Sequence, residues 1–145
     1  YLPDLKYAQN DLAKKYSKID NYFEIATSAI KEMRLQVGKN EYDENGMIQK
    51  GIIIRHLILP NHTENTKQVL KWVKENMPKD ITVSVMAQYF PTYKAKNIKD
   101  LNRGITKNEY KKIENFLYNL DIENGYIQER GNQEEIYVPK WEINI

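Results

Sequence analysis

Three strand-like segments, separated by stretches long enough for helices, constrain the fold of this chain more than any other feature. They are Tyr1–Tyr7, the β-branched run Ile52–Leu59, which is closed by Pro60, and Ile81–Gln88. Strands joined by crossovers of helical length run parallel, and the crossovers turn right-handedly. The pattern therefore predicts an α/β fold with about three parallel strands, covering helices, and a C-terminal helix and tail.

Four helices are predicted from capping residues and from apolar side chains at helical spacing. In chain order they cover Asp11–Tyr16 with Asn10 as N-cap, residues 21–37 up to Gly38, residues 63–77 up to Pro78, and residues 107–120 after Thr106. The second helix is expected to turn inward Tyr22, Ile25, Ala26, Ala29, Ile30, Met33 and Val37. The polar stretch Lys39–Gln49 carries Asn45-Gly46, which predicts a turn.

The ends of the chain give two further expectations. Residues 122–145 form a C-terminal extension to a predicted domain of residues 1–121. The extension holds two β-like pieces, Tyr126–Gln128 and Ile136–Val138, and the pattern leaves their place in the fold open. Because Tyr1 lies inside a strand-like segment and is not Met, we expect a fragment cut by design from a longer protein, in preference to one released by cleavage of a leader.

Composition and charge argue against several classes of function. Twenty-two Lys and Arg residues against 20 Asp and Glu leave a net charge of +2, too little to predict nucleic acid or a membrane surface as a partner. The longest apolar runs, Gly51–Leu59 and Val83–Ala87, are too short to span a bilayer. With zero cysteines, the chain holds neither a disulfide nor a thiolate-bound metal centre. We expect a cytoplasmic protein.

Polar side chains stand near the carboxyl ends of the predicted strands, where parallel α/β folds bind ligands. Because side chains alternate between faces, Asp4 and Lys6 share one face, and Arg55 shares a face with Leu57. The third strand adds Thr82, Ser84, Met86 and Gln88. A parallel sheet covered on both sides should be apolar on both faces. The polar residues therefore predict a pocket for a ligand that carries both signs of charge.

Structural roles compete with this prediction. Asp4 and Lys6 could form a solvated pair, and a salt bridge to Asp4 could satisfy an otherwise costly Arg55. His56 faces the helices and is expected to be a hydrogen-bonded core residue. His62 lies in the loop after the second strand and is a weak candidate for a metal ligand, because no second His is expected near it in the fold.

Other polar and aromatic residues receive structural interpretations. Asn65 and Asn97 are attributed to compositional bias in an asparagine-rich chain, and the aromatic cluster of Tyr89, Phe90 and Tyr93 is attributed to packing. Only Tyr89 and Gln88 stand where the rim of a pocket is expected. The lysines that follow are interpreted as a solvated face: Lys94, Lys96 and Lys99.

Three motifs carry a resemblance to a known family. In order and spacing, Tyr1–Tyr7, Arg55–Pro60 and Val85–Tyr93 resemble the second half of a radical S-adenosylmethionine (SAM) protein of the pyruvate formate-lyase activating enzyme-related group. The resemblance spans about residues 1–120. It implies the second half of a partial (βα)6 barrel in an enzyme that cleaves SAM to a 5′-deoxyadenosyl radical. In that family a CxxxCxxC motif holds a [4Fe–4S] cluster, and the activating enzymes act on a glycyl radical enzyme.

The resemblance also implies cofactor-binding roles, with no catalytic residue on this chain. Asp4 and Lys6 match an Asp-x-Lys motif near the SAM carboxylate, where the Asp also lies near a monovalent cation. Arg55 matches an arginine that contacts the cofactor, and Leu57 would lie against the adenine. Gln88 stands where the activating enzymes have a His, which is a departure from the family pattern. Met86 would add apolar contact.

The absence of cysteine is the largest departure from the family. It implies that this chain alone is inactive and that only a longer parent protein is the enzyme. An open edge on the first strand would also favour self-association of the fragment. Two other interpretations remain: a non-catalytic α/β domain that binds another protein, and half of a phosphate-binding barrel. The latter lacks a Gly-rich loop after any strand.

Overall fold

A parallel sheet organises the fold in the computed structural model, which describes residues 1–128. Its strands are β3 (Ile53–Leu57), β4 (Thr82–Met86) and β5 (Asn124–Ile127), in that spatial order. The segment Tyr1–Leu5 runs parallel to the outer side of β3. It is joined there by an Asp4–Arg55 bridge and by three backbone bonds of 2.9–3.0 Å. The predicted first three strand segments are therefore confirmed as neighbours.

β5 lies in the predicted C-terminal extension and pairs with β4 in parallel, from Thr82↔Asn124 to Val85↔Ile127. The β-like piece Tyr126–Gln128 therefore lies at the edge of the sheet, on the side of β4 opposite β3. The second piece, Ile136–Val138, lies outside the described residues.

Four α-helices connect these segments within residues 1–128: α1 (Asn10–Ser17), α2 (Tyr22–Val37), α3 (Thr63–Asn76) and α4 (Lys107–Asn119). α2 ends at Gly38 as predicted, and Thr106 caps α4 in a reciprocal capping box with Glu109. The predicted N-cap of α1 is wrong, because Gln9 holds that position. The Asn10 side chain instead accepts a hydrogen bond from the Phe23 amide of α2 at 3.0 Å. None of these helices is long and apolar enough to cross a membrane.

The helices bury one face of the sheet. Ile54 and Val83 lie fully buried there among side chains of the helices: Ile30, Val69, Leu70, Val73, Ile113 and Leu117. The predicted inner face of α2 is wrong at Ile25, which is 65% exposed, and at Ala29, which is also exposed. The stripe that faces the core runs instead through Phe23, Thr27 and Ile30. The polar side chain of Thr27 can be buried there because its hydroxyl donates a hydrogen bond to the Phe23 carbonyl at 2.7 Å.

The opposite face is partly exposed and carries Asp4, Arg55, Ser84 and Tyr126; we call it the polar face. A two-stranded antiparallel hairpin, β1 (Glu41–Tyr42) and β2 (Ile48–Lys50), precedes β3. Its tip contains the predicted Asn45-Gly46 turn. The Tyr42 hydroxyl lies 2.6 Å from the Thr82 hydroxyl, which holds the hairpin against the amino-terminal end of the sheet.

Candidate functional site

One row of residues crosses the polar face from strand to strand. In register, Asp4 lies beside Arg55, Arg55 beside Ser84, and Ser84 beside Tyr126. The Arg55 Nε donates to Asp4 Oδ1 at 2.8 Å. The structure therefore brings together two of the predicted site residues, which are separated by 51 positions in the sequence.

The Asp4–Arg55 pair leaves donors and acceptors at the surface. Its side chains are 34% and 41% exposed, so solvent screens the pair and it adds little to stability. Within residues 1–128, the hydrogen bonds of the Arg55 side chain use Nε alone. Since a guanidinium carries five N–H donors, its two terminal nitrogens remain able to bind an anionic group.

The other predicted residues lie further toward the carboxyl ends of the strands. Lys6 is exposed while its neighbours Leu5 and Tyr7 are buried, so alternation places Lys6 on the polar face with Asp4. Leu57 is paired in register with Met86, one row beyond Arg55. Gln88 follows two residues after Met86 and is half-buried. Strand alternation thus assigns these side chains to one face. Among the five cofactor-binding candidates of residues 1–128, a side-chain hydrogen bond joins only Asp4 and Arg55.

Buried polar groups hold the backbone that carries Asp4 and Lys6. The His56 Nδ1 donates to the Leu5 carbonyl at 2.7 Å, and its Nε2 lies 2.9 Å from the Thr66 hydroxyl. The Asn65 side chain donates to the Lys6 carbonyl at 2.9 Å and accepts from the Ala8 amide at 2.8 Å. These bonds anchor residues 5–8 to β3 and α3.

Tyr22 contacts the segment that carries Asp4 and Lys6 on the edge that faces away from β3. Its hydroxyl donates to the Asp4 carbonyl at 3.2 Å and accepts from the Lys6 amide at 2.9 Å. Part of the strand edge is thereby occupied by a side chain of α2, although the sequence pattern led us to expect an open edge. We conclude that the backbone positions of Asp4 and Lys6 are set by contacts on both sides.

Asn65 is a structural residue that the sequence analysis missed, and its attribution to composition is wrong. It is 2% exposed. The signal was its spacing, since Asn65 lies four and eight residues before Val69 and Val73 on the buried stripe of α3. A polar residue in an apolar stripe needs buried partners, and the backbone of residues 6–8 supplies them.

His56 is a core residue, as predicted. Burial lowers its pKa to about 4, while the bond to the Leu5 carbonyl and the charge of Asp4 act in the opposite direction. A neutral ring that donates from Nδ1 must accept at Nε2, so the Thr66 hydroxyl donates to it. Both ring nitrogens are then used inside the fold.

His62 belongs to a separate network in the loop after β3. Its Nε2 lies 2.8 Å from the Tyr16 hydroxyl, which donates to Asp100 Oδ2 at 3.2 Å. Lys15 Nζ is 2.8 Å from the same carboxylate oxygen. Burial lowers the pKa of His62. Within residues 1–128, no three His, Asp or Glu side chains are grouped so that they could hold a metal ion.

The aromatic cluster after β4 does not pack as a unit. Tyr89 is 8% exposed and its hydroxyl donates to the Leu101 carbonyl at 2.8 Å, so packing is confirmed there. Tyr93 is 82% exposed, and the packing role predicted for it is wrong.

Comparison with known proteins shows a similarity to an archaeal protein. The chain is 37% identical over 128 residues to an uncharacterized protein of Methanocaldococcus jannaschii. The match covers 84% of this chain and 32% of the relative, so the chain spans about a third of the relative's length. No model of a protein family matches the chain. No solved structure matches it either.

Proposed function

We propose that this chain is the SAM-orienting half of a cytoplasmic radical SAM protein, arranged as the second half of a partial (βα)6 barrel. The observation that carries the proposal is the meeting of Asp4 and Arg55, from separate parallel segments, on a partly exposed sheet face. A carboxylate and a guanidinium at one place offer partners to both charges of a zwitterion. The sequence resemblance supplies the identity of that zwitterion.

The methionine end of SAM fits the chemistry of these residues. The terminal nitrogens of Arg55 would bind the carboxylate as a fork, and the Lys6 ammonium would add a second cation. The second oxygen of Asp4 would accept from the SAM ammonium. Leu57 and Met86, paired in register, would offer an apolar surface to the adenine. Gln88 would add an amide at the carboxyl end of β4.

The iron–sulfur cluster does not fit this chain, because the chain has no cysteine. A [4Fe–4S] cluster needs thiolate ligands, which would have to come from another part of a longer protein. The greater length of the archaeal relative supports a longer parent. In the proposed enzyme, SAM and the cluster supply the radical chemistry, and these residues bind and orient SAM. A glycyl radical enzyme or another protein would be the substrate of the parent.

A SAM-binding measurement on paired arginine variants tests the proposal. Equilibrium dialysis with labelled SAM is applied to this chain and to the parent protein carrying its upstream residues. Arg55→Ala should weaken SAM binding by about tenfold or more, because it removes a charge-assisted contact. In the parent, formation of 5′-deoxyadenosine should fall as well.

Arg34→Ala is the matched control. Arg34 holds Asp80 through two bonds of 2.8 and 2.9 Å, so the control also loses an arginine ion pair, but on a different part of the fold. Its SAM affinity should equal that of the wild type. Undiminished binding or SAM cleavage in Arg55→Ala would reject the assigned role.

A non-catalytic interaction domain is the second candidate. The 2.8 Å contact between Asp4 and Arg55 favours it, because the two charges already satisfy each other in part. This alternative predicts that neither the chain nor the parent binds SAM, and that Arg55→Ala changes only stability.

A further inference from the structure

Tyr93 has an unusual backbone conformation in the loop after β4. It begins a short 3₁₀ helix, Tyr93–Asn97, with φ of +46°. This left-handed region is unfavourable for a bulky side chain. The other non-glycine residues of 1–128 with positive φ are not aromatic: Lys18, Asn21, Asn61 and Asp121. Since the Tyr93 ring is 82% exposed, packing does not offset the cost of this conformation.

The exposed ring stands in a positively charged stretch. Phe90–Lys99 contains three lysines and no acidic residue, in a chain whose total charge is only +2. Lys94, Lys96 and Lys99 are all exposed, and the Lys94 ammonium lies 5.5 Å from the centre of the Tyr93 ring. Positive charge is therefore concentrated in the stretch of chain that carries this exposed ring, and one of the three ammonium groups lies over it.

Hydrogen bonds and an ion pair hold the base of this loop. Tyr89 is buried and donates to the Leu101 carbonyl at 2.8 Å. Lys15 pairs with the Asp100 carboxylate at 2.8 Å, and the Asn61 side chain donates to the Asp100 carbonyl at 2.9 Å. Asp100 follows Lys99 directly in the sequence, but its carboxylate is already paired with Lys15. Because these contacts already order the base of the loop, less entropy is lost there when a partner binds.

We propose that Tyr93, Lys94, Lys96 and Lys99, here called the Tyr93 surface, form a docking surface for an acidic segment of a protein partner. An exposed tyrosine is a common anchor of protein-binding hot spots, and the exposed lysines beside it in the sequence are complementary in charge to an acidic segment. Three lysines in one short loop do not form the extended basic stripe of a nucleic-acid site. Strain kept at an exposed residue is typical of a functional site.

The position of the loop connects this surface with the candidate site. The loop leaves the carboxyl end of β4, the end of the sheet toward which Lys6 and Gln88 lie. A partner bound to the Tyr93 surface would therefore stand beside the proposed SAM site. The inference rests on the proposed function in one respect, that the docked protein is the substrate of the parent.

Peptide binding to the full chain tests the surface. The probe is a fluorescein-labelled peptide of repeated Glu-Leu-Asp-Gly units, compared by fluorescence anisotropy with its Gln/Asn counterpart. The acidic peptide should bind and the uncharged one should not. Tyr93→Ala should weaken binding about tenfold. The triple variant K94E/K96E/K99E should abolish it, because it replaces attraction by repulsion.

A matched variant separates position from charge. K71E/K107E/K111E makes the same charge change at three exposed lysines outside the loop. It should keep the affinity within about twofold of the wild type. Equal loss in the two triple variants would overturn the proposal, and so would absence of binding by the wild type. A single-stranded oligonucleotide of equal charge could instead bind more tightly than the acidic peptide and lose affinity in Tyr93→Ala. That result would overturn the proposal of a protein partner and identify nucleic acid as the ligand of the surface.

A stability measurement distinguishes docking from a structural role. Tyr93→Gly should raise the midpoint of urea unfolding, because glycine adopts positive φ without strain, and should weaken peptide binding. A lower midpoint would show that Tyr93 stabilises the fold and would overturn the argument from strain. The SAM assay is independent. SAM binding without peptide binding rejects this inference alone, and peptide binding without SAM binding rejects the proposed function alone.

Discussion

Acidification should destabilise the fold through one buried histidine, His56. Burial lowers its pKa in the folded chain to about 4, whereas in the unfolded chain the ring titrates near its ordinary value of 6.5. The unfolded state therefore takes up a proton first as the pH falls. Stability that is fully present above pH 6.5 is lost progressively as the pH decreases toward 4.

The size of the effect follows from these two pKa values. The loss reaches about 3 kcal/mol near pH 4, and about 2 kcal/mol of it falls between pH 7 and pH 5. Solvent does not screen this ring, because His56 is 0% exposed. Its two hydrogen bonds, to the Leu5 carbonyl and the Thr66 hydroxyl, both lie inside the fold. A change of about 2 kcal/mol is a large fraction of the stability of a domain this size.

Urea unfolding of the wild type and of His56→Asn at pH 7 and pH 5 measures this loss. Asparagine places an amide near Nδ1, so it can still donate to the Leu5 carbonyl, but it does not titrate. The variant should be less stable than the wild type at pH 7. Between the two pH values it should lose about 2 kcal/mol less than the wild type. His62, whose pKa burial also lowers, is present in both proteins and cancels from the difference.

Equal losses in the two proteins would refute the reasoning. If His56→Asn does not fold, an NMR titration of the His56 ring in the wild type tests the same reasoning. In the wild type, the NMR signals of the His56 ring should remain those of the neutral form until the pH approaches 4. Protonation near pH 6.5 in the folded chain would show that the ring is not buried as described.

Two further predictions concern the backbone and the acid limit. Gly51→Ala should cost about 3 kcal/mol or more in urea unfolding, because Gly51 has φ of +136° and a Cβ there would lie 2.2 Å from Asn40 Oδ1. Gly46→Ala, with φ of +76° and open space around the new methyl group, should cost only about 1 kcal/mol. Arg103 and two backbone amides hold the pKa of Glu109 at about 2 against the effect of burial, so stability should fall as the pH decreases from about 4.5 toward 2. Glu109→Gln should flatten that part of the pH profile, and an unchanged profile would contradict the assignment.

Local signals in the sequence were sufficient for the four α-helices and for the strands β3 and β4, but not for the hairpin strands β1 and β2 or the 3₁₀ helix Tyr93–Asn97. Thr106 and Glu109 begin α4 through bonds between residues three apart, and Gly38 ends α2. The apolar runs of β3 and β4 likewise indicated strands buried against helices. Such features depend on neighbours along the chain, so a pattern of residues indicates them directly.

The candidate site could be predicted only in part. Alternation along each strand placed Asp4 with Lys6 and Arg55 with Leu57, but it did not show whether Asp4 and Arg55 touch. That contact depends on register between segments about fifty residues apart, which the backbone bonds from Tyr1–Leu5 to β3 set.

By itself, the sequence determined the order and kind of the elements and the polar character of the strand ends. Tertiary structure decided the orientation of α2, the pairing of β5 with β4, the buried bonds of Asn65 and the exposure of Tyr93. The physical reason is the range of the interactions. Periodicity and capping act over a few residues. Register, the burial of a polar side chain and the exposure of an aromatic ring depend on segments that meet only when the whole sheet has formed.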